Sequence, residues 1–168
     1  MLIIVLISPA CKVRADYQSG TAALILDSAE GFFISLKDGE YEAAWDSLSK
    51  KSHSTIIDNV YSASIKINKD TKKEAVEKDF KNKGILFNNY WKAFRDTFNS
   101  ETVLEKSIWK MGVIKKNRAE ILLTNKKTGR LARVKMSREQ GTWKVGLVET
   151  FWPKKTVSLL KDFSRFIY

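Results

Sequence analysis

The fold is decided by residues 103–151, VLEKSIWKMGVIKKNRAEILLTNKKTGRLARVKMSREQGTWKVGLVETF, where apolar side chains recur at every second position. A period of two is typical of β-strands that bury one face. Short segments rich in Lys, Asn and Gly separate the alternating runs and are suited to hairpin turns, so the predicted sheet is antiparallel. The predicted strands are Val103–Ile114, Arg118–Asn125, Leu131–Arg138 and Thr142–Phe151.

Before residue 103 the apolar period is close to 3.6, which predicts amphipathic helices. Pro153 ends the last predicted strand, and the helical pattern returns after it at residues 156–167. Helices that precede an antiparallel sheet predict an α+β fold, with the N-terminal helices packed on a curved four-stranded sheet and an extra C-terminal helix. The predicted N-terminal helices are residues 21–38, 40–50, a third capped by Ser52 or Ser54, 71–83, and an aromatic helix over 87–99.

Length and composition exclude several classes of protein. The chain has 168 residues, which is enough for one domain with its own core. It contains one cysteine and one histidine, His53, so a disulfide framework, a cysteine-rich zinc site and a mechanism based on two histidines are excluded. His53 lies in a polar stretch and is expected at a solvated helix start. No glycine-rich phosphate loop is present, and neither a metal nor a cofactor is expected.

The first residues resemble an export signal. Leu2–Ile7 is an unbroken apolar run, too short to span a bilayer, and small residues and Cys11 follow it. This order resembles the bacterial lipobox, which implies lipidation of Cys11. Cleavage after Ala15, giving a secreted soluble protein, and a buried first strand are the alternatives. We therefore expect an export segment over residues 1–15, one that lacks the usual positively charged start, and a single domain over 16–168.

Two stretches resemble the nuclear transport factor two-like superfamily, a group of cone-shaped, cystatin-like domains. Residues 31–45, GFFISLKDGEYEAAW, are similar to its opening helices, and residues 141–145, GTWKV, are similar to its last strand. The resemblance covers about residues 20–152 and points to exported bacterial domains of this type. It implies a curved sheet wrapped around a pocket. Some members, such as ketosteroid isomerase and scytalone dehydratase, are enzymes, whereas many only bind ligands.

Alternation places one set of side chains on the apolar side of the sheet, where they are expected to line such a pocket. Glu105 and Glu149 share this side and are the candidates for a catalytic base, because a carboxylate among apolar groups has a raised pKa. The other interpretation of both is a carboxylate at a strand end that reaches solvent or a lysine. The expected pocket residues are Trp109, Met111, Met136, Trp143, Leu147, Glu149 and Phe151.

The basic charge is concentrated on the other side of the sheet. Residues 1–100 hold 14 Lys/Arg and 13 Asp/Glu, whereas residues 101–168 hold 16 and 6. Outside the cytoplasm, such a face suits anionic lipid headgroups, lipopolysaccharide, a wall polymer or an acidic envelope protein. Nucleic acid is not expected, because no aromatic residues interleave the basic ones. The predicted anion-binding residues, opposed only by Glu120, are Lys106, Lys110, Arg118, Arg133, Lys135 and Lys144.

These features predict a non-enzymatic binding domain in the cell envelope, held at the membrane by a lipid anchor and not by a transmembrane span. Its ligand, anionic or apolar, is expected in the cone or on the basic face. One alternative is an isomerase- or dehydratase-like enzyme with Glu149 or Glu105 as its base. Another is a structural subunit of an envelope complex.

Overall fold

A computed structural model describes the backbone of residues 9–151 and the side chains of residues 20–150. The fold is α+β, with the helices first, then an open four-stranded antiparallel sheet and a short C-terminal helix. Within the described backbone, six helices precede the sheet: α1 Pro9–Asp38, α2 Tyr41–Asp46, α3 Lys50–Ile67, α4 Lys73–Lys81, α5 Ile85–Thr97 and α6 Ser100–Glu105. The strands are β1 Ser107–Ile114, β2 Arg118–Asn125, β3 Leu131–Glu139 and β4 Thr142–Gly146, and α7 is Leu147–Phe151.

The sheet has the simplest topology, in which each strand pairs with the next along the chain. Type and order of the strands were predicted correctly because alternation and hairpin turns are local signals. The free edge of β4 is partly covered by the α2–α3 connection, where Ser49 donates its backbone N–H to the Val145 carbonyl and Val145 donates to Ser47.

Two strand ends were predicted wrongly. Residues 103–105 belong to α6, which Asn99 caps by accepting the Thr102 backbone N–H at 2.9 Å. β4 ends at Gly146, and the next residues, Leu147 and Val148, are buried residues of α7. A β-bulge after Met111 turns Val113 outward, and it is 56% exposed although strict alternation from Trp109 and Met111 would place it on the apolar side.

The helix bounds differ from the prediction mainly in their caps. α1 begins at Pro9 and not near residue 21, so the backbone of residues 9–15 in the expected export segment is helical. Ser49, and not Ser52 or Ser54, caps α3, and α4 begins at Lys73 and not at residue 71. The break between the last two predicted helices is confirmed, and Gly84 directly precedes α5. Residues 1–8 and the helix expected over 156–167 lie outside the described residues.

The core lies between the inner face of the sheet and the helices, and aromatic rings dominate its helical part. Trp91 is completely buried, with Phe32, Phe87 and Phe94 in edge-to-face contact around it. Trp45 joins this cluster through its contacts with Phe87 and Trp91. Such ring pairs add to the burial of apolar area and fix the helices against the sheet. On the other side, which we call the outer face, the side chains of β1, β2 and β3 are exposed or half-buried.

Candidate functional site

The candidate site is the outer face of the sheet, where the strand register sets the position of each charge. Lys110 lies opposite Leu122, which lies opposite Arg133 on the next strand. One row further along, Glu120 lies opposite Lys135, and the row after that runs from Arg118 through Ser137 to Lys144. We call the four exposed cations of these rows, Lys110, Arg118, Arg133 and Lys135, the basic face.

The basic face is not neutralised by its surroundings. None of its four cations makes an ion pair with any residue whose side chain is described. Two carboxylates share its side of the sheet, Glu120 as expected and also Glu139 near the end of β3. The Glu139 carboxylate accepts a hydrogen bond from the Lys50 backbone N–H at 3.2 Å, so this carboxylate is bonded to the start of α3. The face therefore keeps a net positive charge.

Two of the predicted anion-binding residues lie apart from this face. Lys106 is exposed but precedes β1, at the end of α6. Lys144 is half-buried, and its ammonium group donates a 2.7 Å hydrogen bond to the Asp46 carbonyl at the end of α2. Lys144 thus fastens β4 to the helices, a role that alternation alone does not reveal.

The outer face also carries aliphatic side chains that the sequence reasoning missed. Ile108 is 47% exposed and Leu131 is 52% exposed, and they lie on either side of Thr124 in one row across the sheet. Leu122, half-buried, is in the neighbouring row. We call Ile108, Leu122 and Leu131 the aliphatic patch. The same alternation that located the cations locates these three residues, but counting charges overlooks them.

The residues expected to line a pocket are mostly core residues. Met136 and Trp143 are at most 5% exposed, and Leu147 is completely buried. Trp109 and Met111 are half-buried and pack against the core, and the Trp109 Nε1–H donates to the Val103 carbonyl at 3.1 Å. The side chain of Phe151 lies outside the described residues.

Neither candidate base lies on the sheet. Glu105 is in α6, exposed, with its carboxylate 3.1 Å from the Lys37 ammonium, and this contact raises the pKa of Lys37. Glu149 is in α7 and half-buried, and accepts hydrogen bonds from the Ser49 and Ser52 hydroxyls at 3.2 and 3.1 Å. The interpretation of Glu105 as a carboxylate that reaches a lysine is thus correct, while Glu149 links α7 to the start of α3.

His53 is not the solvated residue that was expected. Its ring is half-buried and stacks on Trp45 with 4.0 Å between ring centroids. Its Nε2 lies 2.7 Å from the Trp45 carbonyl, which can only accept, so Nε2 carries a proton. Burial lowers the pKa of His53, and the neutral ring therefore has a bare Nδ1. The ring borders a cleft of about 280 Å³ that is also lined by Lys50, Ser54, Ile57, Lys73 and Glu77.

A larger cleft of about 540 Å³ lies near the ends of α1 and α5. It is lined by charges of both signs, with Arg95 and Lys37 near Asp96 and Glu101, so it favours no single ligand charge. Within residues 20–150, no three His, Cys, Asp or Glu side chains are grouped closely enough to hold a metal ion. Over the part of the chain that the structure describes, no helix combines the length and hydropathy that crossing a bilayer requires.

Comparison with known proteins gives no relative for this arrangement. No protein-family model matches the chain, and neither the curated proteins nor the solved structures contain a match. The resemblance of residues 31–45 and 141–145 to nuclear transport factor two-like domains therefore stays a prediction from those motifs.

Proposed function

We propose that this protein is an exported binding domain without enzymatic activity, which uses its basic face to hold an anionic ligand of the cell envelope. The observation that carries the proposal is the group of four exposed cations, Lys110, Arg118, Arg133 and Lys135, in consecutive rows of one sheet and without ion pairs among the described residues.

The spacing of these cations makes them act together. Neighbouring strands are about 4.8 Å apart, and residues two apart on a strand are separated by about 7 Å. Arg133 and Lys135, two apart on β3, are therefore within the screening length of about 8 Å at physiological ionic strength, whereas Lys110 is two strands from Arg133, about 10 Å away. The potentials of Arg133 and Lys135 add most strongly, and a ligand with several negative charges that extends over the face gains more than a single anion.

The carboxylates give little support to an enzyme. Glu105 is paired with Lys37, and Glu149 accepts hydrogen bonds from two serine hydroxyls. A base that serves a substrate needs a free position within hydrogen-bond reach of that substrate. We therefore assign Glu149 a structural role. The subunit of an envelope complex remains a variant of the same proposal, with an acidic protein as the anionic ligand.

The proposal is tested by reversing charge on the face. The triple variant Lys110→Glu, Arg133→Glu, Lys135→Glu leaves Lys144 in place because of its bond to Asp46. The matched control, Lys69→Glu, Lys78→Glu, Lys92→Glu, makes the same change in net charge at exposed positions in the helical part. We expect polyphosphate beads to retain wild type and the control at low salt, and to lose the face variant. Equal retention of both variants would overturn the proposal.

Lipidation of Cys11 is the second part of this proposal and has its own test. Expression in a bacterium with the complete export signal, followed by mass spectrometry, should show a diacylglyceryl group on Cys11 at the mature N-terminus. A mature chain that begins at Asp16 would show cleavage after Ala15 instead, and the domain would then reach its ligand as a secreted soluble protein.

A further inference from the structure

We infer that the ligand of the basic face is the surface of an anionic phospholipid bilayer, which the aliphatic patch contacts directly. This inference rests on the proposed function, because it assigns a ligand class to the same face. Its own support is independent of charge: the exposed aliphatic side chains Ile108 and Leu131 lie in the row next to that of Lys110 and Arg133.

The register places apolar and basic groups side by side. Leu122 lies between Lys110 and Arg133 in one row, and the next row holds Ile108, Thr124 and Leu131. The three aliphatic residues thus surround Thr124 at one end of the outer face. At the other end are Arg118, Lys135 and the half-buried Lys144. The face is therefore amphipathic along the direction of its strands.

A bilayer matches both parts of this face at once. Lys and Arg side chains bind lipid phosphates while their methylene stems cover apolar surface, and aliphatic side chains next to them reach the boundary of the acyl chains. Anionic lipids attract basic residues near the membrane surface. The patch is small, so we expect shallow and reversible binding.

Other ligands match only the basic part or only the aliphatic part of this face. A wall polymer or polyphosphate offers negative charge but nothing apolar for Ile108 and Leu131. A second copy of this chain offers aliphatic side chains, but stacking two outer faces brings Arg133 and Lys135 towards their own copies, and like charges at close range repel. Charge complementarity therefore favours the lipid surface.

The first experiment removes the aliphatic contacts and keeps every charge. The variant Ile108→Gln, Leu131→Gln is compared with the control Leu24→Gln, Ile85→Gln, whose residues are 61% and 75% exposed on α1 and α5. Binding is measured by sedimentation with vesicles of phosphatidylglycerol and phosphatidylcholine, and with polyphosphate beads. We expect the patch variant to bind vesicles about tenfold more weakly, because glutamine side chains do not gain from leaving water as the aliphatic side chains do. Its retention on polyphosphate should equal that of wild type.

The second experiment asks whether the patch reaches an apolar environment. In a Cys11→Ser background, which removes the only cysteine, Thr124→Cys carries a polarity-sensitive fluorophore at the centre of the patch. Thr142→Cys carries the same label on β4, away from the patch. We expect the vesicles to shift the emission of the Thr124 label to the blue and to leave the Thr142 label unchanged.

The outcomes separate the two proposals. Vesicle binding that is unchanged in the Ile108→Gln, Leu131→Gln variant would overturn the bilayer inference and leave the charge-based function standing. A blue shift of the Thr124 label without vesicles, together with a dimer in sedimentation equilibrium, would overturn it in favour of a second copy. Loss of polyphosphate retention in the patch variant, with the fold intact, would also overturn it. Failure of the charge-reversal test alone counts against the proposed function.

Discussion

The two faces of the sheet are built from the same four strands and differ in almost every physical property. On the inner face Ile121, Leu123, Val134 and Met136 are at most 2% exposed and pack against the helices. On the outer face Lys110, Arg133 and Lys135 are exposed and make no ion pair within the described part of the chain. Consecutive residues of a strand therefore have different roles. One side chain packs in the core and stabilises the fold, and the next is exposed and available for binding.

The largest expected effect is on the inner face, where Trp143→Ala should break the packing of β4. Trp143 is 5% exposed, so the substitution leaves a cavity and should lower the free energy of unfolding by about 3–5 kcal/mol. Urea denaturation measures the loss, and Trp143→Phe should recover part of it. A loss below about 1 kcal/mol would mean that β4 presents its other side to the core.

A smaller effect on the free energy of unfolding is expected at Ser49, where the end of the sheet meets the helices. Its hydroxyl caps α3 by accepting the Ser52 backbone N–H at 3.1 Å and also donates to Glu149. Ser49→Ala should therefore lower the free energy of unfolding by about 1–2 kcal/mol, as the loss of a buried cap does.

A double-mutant cycle with Glu149→Gln separates the two contributions of Ser49. If the hydroxyl stabilises α7 through Glu149, the two losses should not add, because the second substitution removes a bond already lost. Simple additivity would show that Glu149 is not linked to the cap, and the carboxylate would return as a candidate base.

Alternation predicted the sheet well because it is a property of neighbouring residues. The strand order and the antiparallel pairing follow from a period of two and short turns, and the structure confirms them. The basic face was predicted for the same reason, since Lys110, Arg133 and Lys135 alternate with apolar residues.

The strand ends and the polar contacts depend on distant residues, and the sequence pattern does not contain them. Val103 and Glu105 fit a strand by alternation, but the Asn99 cap places them in a helix. Glu149 was assigned to a strand face, and its partners Ser49 and Ser52 are about 100 positions earlier in the chain. His53 stacks on Trp45 across the α2–α3 connection, a contact that its polar sequence neighbours hide.

We also expect the free energy of unfolding to depend on pH through His53, which lies in the helical part of the protein and not on the outer face. Burial lowers the pKa of His53 in the folded protein below its ordinary value of 6.5. Above pH 6.5 the ring is neutral in both states and does not affect stability. As the pH falls from 6.5 towards the lower folded pKa, the unfolded chain binds the proton more readily, so stability decreases, and below that pKa the loss is complete.

His53→Gln tests this dependence, because glutamine keeps a donor for the Trp45 carbonyl and does not titrate. Urea denaturation at several pH values between 7 and 5 should show a decrease for wild type that is smaller for the variant. Equal slopes for the two proteins would show that other groups cause the decrease.

The smallest effect on folding is expected on the outer face, at Lys135. The side chain is exposed and unpaired among the described residues, so Lys135→Ala should change the free energy of unfolding by no more than about 0.5 kcal/mol. Its effect should instead appear in binding, as a lower affinity for polyphosphate and a weaker dependence of that affinity on salt, because one of the four cations is gone.

The comparison of the faces predicts opposite results for Lys135→Ala and for the conservative inner-face variant Val134→Ala, one position earlier in β3. Val134 is 1% exposed, so its truncation should cost stability, about 1–3 kcal/mol, and leave polyphosphate affinity unchanged in the folded protein. Urea denaturation and bead retention on both variants give four values. Two results would contradict this separation of roles. One is that Lys135→Ala destabilises the domain, and the other is that Val134→Ala weakens polyphosphate binding although the variant protein is folded.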